Sequence, residues 1–178
     1  MRDYPHQMSG GMRQRIVGAI ALAGGPSLVI ADEPTTNLDV TIQAQYLDLL
    51  KDIQRETGVA LIFVTHNLGI VAKMCDRVAV MYAGKIIEQA PVQELFDDPK
   101  HPYTRALLGS VPKLGSKEAL YSIAGQPPNL ASLPPGCAFH PRCREALERC
   151  ATAEPPDFQL ADGSVARCWL LEHGAARS

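Results

Sequence analysis

The sequence predicts an α/β fold, a parallel sheet core with flanking helices, followed by a small irregular cysteine-containing module. Three observations carry that prediction. Leu28 to Ala31 is an unbroken apolar run ending in Asp32 and Glu33, the form of a buried parallel strand that delivers carboxylates at its C-terminal edge. Val59 to Val64 repeats the form and ends in Thr65 and His66. Helical patterns alternate with these runs, giving the order β-α-β-α-β that belongs to parallel sheets. Ligands of open α/β sheets bind at the C-terminal strand edge. Asp32, Glu33 and His66 are therefore candidate site residues, provided that the two strands are neighbours.

Each element has a local reason. Met1 to Met8 is polar and reads as a loop. Ser9-Gly10-Gly11 opens a helical pattern over Met12 to Ala23, with Ile16, Ala19, Ile20 and Ala23 on one face. Ser9 is a good N-cap, and the glycines allow a ligand close to the backbone. The unpaired N–H groups and positive dipole of that helix end suit an anion. Pro34 stops the first strand, since it has no N–H for a ladder. Asp39 is a plausible N-cap for the helix Val40 to Glu56, whose apolar face is Ile42, Tyr46, Leu49, Leu50 and Ile53. Gly58 ends it as a C-cap. His66 either joins the acidic edge or caps the next helix, which starts near Asn67 with Leu68, Val71, Ala72 and Cys75 as its apolar face. Cys75 reads as a small buried hydrophobe. Arg77 to Tyr82, Ala83-Gly84 and Lys85 to Glu88 form a hairpin-like pair. Pro91 to Phe96 is a short helix with Pro in its first turn, Asp97 to Pro102 breaks it, and Tyr103 to Ser110 is another.

Composition shifts at Pro112, and Pro127, Pro128, Pro134 and Pro135 mark an irregular tail. The tail holds Cys137, Cys143, Cys150 and Cys168, separated by five, six and seventeen residues. These are not the two-residue gaps of zinc fingers. A short helix from Pro141 to Cys150 would place Cys143 and Cys150 on one face. Four thiolates hold zinc or an iron–sulfur cluster, and spacing does not choose between them. Scattered free thiols are the plain alternative.

Bulk properties exclude some classes. A formal net charge of −2 without a dense Lys/Arg block argues against a dedicated nucleic-acid or anionic-membrane binder. The longest mostly apolar stretch, Gly18 to Ala31, is interrupted by Gly24, Gly25, Pro26 and Ser27, so no membrane span is expected. The start lacks a charged-then-apolar signal, and a cytoplasmic protein is expected. Clustered cysteines there point to metal ligands or free thiols.

Taken together, these stretches resemble an ABC-type ATPase. His6-Gln7-Met8-Ser9-Gly10-Gly11-Met12-Arg13-Gln14-Arg15 resembles the signature loop, with Met8 in place of the usual Leu and Met12 in place of the usual Gln. Leu28 to Glu33 resembles the Walker B strand and catalytic glutamate, Thr36-Asn37-Leu38-Asp39 the D-loop, and Thr65-His66 the switch histidine. Order and spacing together make the match specific. His101-Pro102-Tyr103-Thr104-Arg105-Ala106-Leu107-Leu108 is similar to the C-terminal extension of oligopeptide/dipeptide importer ATPases, a group shared with nickel importers. Its four-cysteine tail is similar to the one that carries an iron–sulfur cluster in members of the group.

The resemblance implies residues 1–96 as the C-terminal part of the ATPase domain and 97–178 as the extension. It implies ATP and Mg²⁺ as cofactors, with Asp32 holding Mg²⁺, Glu33 activating water and His66 contacting the γ-phosphate. Ser9, Gly10, Gly11 and Met12 would bind a partner's ATP, with Asp39 at the dimer interface, and Cys137, Cys143, Cys150 and Cys168 would hold a 4Fe–4S cluster or zinc. The implied partners are a second ABC ATPase subunit head to tail, two membrane permease subunits and, indirectly, an extracellular peptide-binding protein, with no nucleic acid. The implied location is the inner face of the cell membrane. The phosphate-cradling G-x-x-x-x-G-K-S/T loop is not among these 178 residues. The expectation is thus a truncated importer subunit, inactive alone. A signature-donating partner and a metal-binding interaction module are the other readings.

Overall fold

A computed structural model describes residues 4–36, 38–111 and 122–172. Asn37 of the D-loop-like stretch and the composition shift at Pro112 lie outside them. The chain is mixed α/β and divides into two units, Met1–Cys75 and Asp76–Ser178.

The first unit runs α1 (Gly10–Leu22), β1 (Leu28–Asp32), α2 (Val40–Thr57), β2 (Ala60–Val64) and α3 (Leu68–Met74). The two strands are parallel neighbours, in register from Leu28 opposite Ala60 to Asp32 opposite Val64. Leu61 and Phe63 pack on a core of Tyr46, Leu47, Leu50, Ile70 and Met74 from α2 and α3. The strands have the buried-type sequence expected of them, but only one face is covered. Ile30 is 65% exposed, and Leu28, Ile62 and Val64 are also exposed. Alternate strand residues face opposite sides, and among the described residues α2 and α3 cover only the side of Leu61 and Phe63. The expected apolar face of α1 is likewise open, with no buried residue and Ile20 70% exposed.

Other details differ from expectation. α2 buries Leu47, while Leu49 is exposed, because Ile70 and Met74 pack from the Leu47 side. α3 buries Ile70, Val71 and Met74; Ala72 is exposed and Cys75 is a half-buried C-cap outside the helix. α1 approaches α2 through glycines. A Cβ on Gly11 would lie 2.7 Å from Ile42 Cγ2, and one on Gly18 3.0 Å from the Tyr46 hydroxyl.

The second unit contains β3 (Arg77–Tyr82), β4 (Lys85–Pro91), α4 (Val92–Asp97), α5 (Pro102–Gly109), β5 (Phe158–Gln159) and β6 (Val165–Ala166). Its four-stranded sheet has the order β3-β4-β6-β5 and is antiparallel throughout, so β3 does not continue the parallel sheet. β3 and β4 are joined by a two-residue turn in which Ala83 and Gly84 have φ of 49° and 80°; two positive φ values define the turn that folds β4 back antiparallel on β3. Val80, Tyr82, Ile87, Ala90, Leu95 and Phe139 form the core. Pro91 caps α4 rather than starting it. The expected helix from Pro141 to Cys150 is absent. Single 3₁₀ turns, His140–Arg142 and Glu148–Ala151, take its place, since local backbone bonds such as Cys143 N–H to the His140 carbonyl close turns of three residues.

Candidate functional site

The parallel register of β1 and β2 ends both strands at one edge. Glu33 extends the ladder by one bond, its N–H donating to the Val64 carbonyl at 2.8 Å. It does so with φ of 46°, a left-handed conformation rarely adopted by a residue with a Cβ and found at sites that need an exact side-chain position. Its Oε1 accepts from His66 Nδ1 at 2.7 Å and from the His66 backbone N–H at 3.2 Å. Its Oε2 accepts from the Thr36 hydroxyl at 3.0 Å. The His66 side-chain bond, then the Thr36 and His66 backbone bonds, outweigh the desolvation that opposes them and hold the Glu33 carboxyl below its ordinary range. With Nδ1 donating to the carboxylate, the His66 atom left for a ligand is Nε2, on a side chain 86% exposed. Asp32 stands exposed at the same strand end, opposite Val64. An ionised carboxylate and an accessible imidazole at a strand edge can orient and deprotonate a water molecule.

The remaining sequence-predicted residues of this unit lie at helix starts. Ser9 Oγ accepts the Met12 N–H at 3.2 Å and leaves Gly10 and Gly11 as the first helical residues of α1. Asp39 Oδ1 accepts the Ile42 N–H at 2.9 Å and caps α2. Because Gly11 faces Ile42, the first turns of α1 and α2 lie side by side. Among the described residues, no hydrogen bond or ion pair joins Ser9, Gly10, Gly11 or Met12 to Glu33 or His66. Two roles escaped the sequence reading. Thr36, three residues after the acid, fixes Glu33; the seven-residue spacing of Gly11 and Gly18 seats α1 on α2.

In the second unit Cys137, Cys143, Cys150 and Cys168 line one small cavity, with His101 and Trp169 also in its wall. All four are free thiols. The Cys137 N–H donates to the Cys150 carbonyl at 2.9 Å. Arg149 stacks 3.5 Å over Trp169 and pairs with Glu172, tying the segments of Cys150 and Cys168 together. Burial first, and the neighbouring thiols as well, push Cys168 up to about 11; burial also raises Cys137 and Cys143. Among the described residues, no group of three or more His, Cys, Asp or Glu side chains is arranged to hold a metal ion. The thiols therefore converge on one cavity without standing as a ligand set.

Comparison with known proteins gives consistent matches. Residues 1–36 match the family described as ABC transporter, and residues 87–150 the oligopeptide/dipeptide transporter C-terminal region. A Brucella ovis protein named for peptide import and ATP binding is 54% identical over 98% of this chain and 54% of its own length. The dipeptide transport ATP-binding protein DppD of Bacillus subtilis is 53% identical over 98% of this chain and 52% of its own. The oligopeptide transport ATP-binding protein OppD of the same organism is 51% identical over 99% and 50%. The chain thus spans about half the length of these relatives. Among solved structures it is similar to cbiO1 from Clostridium perfringens, part of an ABC transporter complex, at 36% identity over 52% of this chain and 37% of that one, with a TM-score of 0.49. Among the described residues, no helix is long and apolar enough to cross a membrane.

Proposed function

We propose, from the premise that this chain belongs to the ABC transporter family and carries the oligopeptide/dipeptide transporter C-terminal region, that it supplies the hydrolytic edge and signature helix of the ATPase subunit of a peptide importer. The observation that carries this reading is the Glu33–His66 contact of 2.7 Å at the ends of two parallel strands. In this reading Glu33 orients and deprotonates the attacking water, and His66 offers Nε2 to the γ-phosphate. Asp32 holds Mg²⁺, which would neutralise phosphate charge. Ser9 and the first N–H groups of α1 bind the γ-phosphate of ATP held by a second ATPase subunit, across an interface that includes Asp39. The assembly would sit on the inner face of the cell membrane with two permease subunits. The named relatives are peptide, dipeptide and oligopeptide transport proteins, which favours peptides over nickel as cargo.

A chimera tests this reading. The present chain replaces the matched half of the B. subtilis dipeptide transport ATP-binding protein, and ATP hydrolysis is measured. Activity is expected, with Glu33→Gln lowering it by roughly 10²–10⁴-fold, the range of a lost general base. A folded, ATP-binding chimera in which Glu33→Gln changes nothing would sink the assignment.

The convergence of four cysteines on one cavity supports a second, compatible reading, that Cys137, Cys143, Cys150 and Cys168 hold an iron–sulfur cluster or zinc. Four thiols are the ligand chemistry of both, and here all four line one cavity, though their present arrangement is not yet that of a ligand set. The bound group would act as a cross-link between chain segments. Iron, sulfide and zinc assays on anaerobically purified protein test it: metal is expected in the wild type and lost in Cys143→Ser and Cys168→Ser, whereas a metal-free wild type rejects it.

A further inference from the structure

A second concavity in the Asp76–Ser178 unit shares His101, Cys137, Phe139 and Pro155 with the cysteine cavity and is otherwise lined by different residues. It has a volume of about 180 Å³. Its walls are Tyr82, Phe139, Ile87 and Pro134, and the Tyr82 and Phe139 rings meet edge to face at 5.3 Å. His101, only 2% exposed, closes its deep end. Its Nδ1 accepts the Tyr103 N–H at 3.0 Å, so the ring proton sits on Nε2. The mouth is charged. Lys85 Nζ donates to both carboxylate oxygens of Glu154 at 2.7 Å, Arg167 approaches Glu154 at 3.5 Å, and Arg167 also pairs with Asp157. Lys85 and Glu154 are exposed and Arg167 is partly exposed.

Size and charge together select the ligand. An apolar protein cavity of roughly 150 Å³ accepts benzene, so this chamber takes one ring or one branched aliphatic group and not a longer peptide. The mouth sets one anion, Glu154, between two cations, Lys85 and Arg167. A carboxylate next to an ammonium matches that set, the carboxylate replacing Glu154 on Lys85 and Arg167 and the ammonium pairing with the Glu154 so released. Exposed ion pairs contribute little to stability, so exchanging them for the charges of a ligand costs little. We propose that this chamber binds a free α-amino acid with a single-ring aromatic or branched aliphatic side chain.

Titration calorimetry on the full chain tests the proposal with four probes: L-phenylalanine, glycine, 3-phenylpropionate and phenethylamine. L-Phenylalanine should bind saturably and at least tenfold more tightly than each of the others, which lack the ring, the ammonium and the carboxylate respectively. Glu154→Gln should bring L-phenylalanine and 3-phenylpropionate within about twofold of each other. Leu133→Trp, a partly exposed lining residue, should fill the chamber and abolish binding. No saturable binding of L-phenylalanine would overturn the proposal. So would equal binding of L-phenylalanine and 3-phenylpropionate by the wild type, or binding that both variants leave intact.

Discussion

His101 shows how one buried side chain makes stability depend on pH. Burial first, and the Arg105 charge second, depress its pKa from the ordinary 6.5 to about 4. The neutral ring is what the fold accepts; Glu88, itself 1% exposed, receives the Lys100 and His101 N–H groups at 2.6 and 2.9 Å and fixes the segment. Between pH 6.5 and about 4 the unfolded chain holds a proton at this position and the folded chain does not. Stability from this residue is thus complete above 6.5 and declines as pH falls towards 4, by on the order of 3 kcal/mol in all. Urea denaturation of the wild type and of His101→Gln at pH 7 and pH 4.5 checks this: the variant should be less stable at pH 7 and lose less on acidification. Glu33 has the opposite chemistry. Its depressed carboxyl gives a contribution present above the ordinary carboxylate pKa and lost only as pH falls through the lowered folded value. In His66→Ala the largest depressing bond is removed, so the Glu33 carboxyl should titrate higher, as read by its side-chain ¹³C shift; an unmoved titration would contradict that cause.

At the scale of elements, the seat of α1 on α2 depends on a missing atom. Gly11→Ala must push against Ile42 Cγ2 at 2.7 Å. The strain, about 1–3 kcal/mol for an overpacked contact, outweighs the gain of up to about 1 kcal/mol in helix propensity. Ile42→Leu removes the β-branch, so the double variant should recover most of the loss, and a double-mutant cycle measures the coupling. Additive losses would show that the contact does not set the packing. The caps Ser9 and Asp39, the stop at Gly58 and the Ala83-Gly84 turn were legible because each rests on side-chain or backbone chemistry within a few residues. The seat of α1, the side of α2 that is buried and the short strands β5 and β6 were not. They depend on neighbours far along the chain, which periodicity does not encode. The Glu33–His66 edge was legible in both residues, but the pairing hung on the adjacency of two strands. The cysteines were legible as a set, yet the helix expected to align two of them gave way to 3₁₀ turns.

Across the whole molecule, each unit has its own core. Tyr46, Leu47, Leu50, Ile70 and Met74 serve Met1–Cys75, and Val80, Tyr82, Ile87, Ala90, Leu95 and Phe139 serve Asp76–Ser178. No residue of α1 is buried, and one face of the β1–β2 pair is open. Calorimetry should therefore resolve two transitions, the first unit melting at the lower temperature; one transition with equal calorimetric and van't Hoff enthalpies would show a single cooperative body. The in-register pairing of β1 with β2 also restricts how such a chain can change length. Glu33 follows its strand by one residue and His66 follows its own by two. Deleting or inserting one residue within either strand would carry its terminal group about 3.3 Å along the edge and turn it to the opposite face. Length changes should then survive only as compensated pairs, one in each strand, while the connecting segment between α1 and β1 remains free to lengthen. The distance between a carboxylate and an imidazole is in effect kept by counting residues along two separate stretches of sequence.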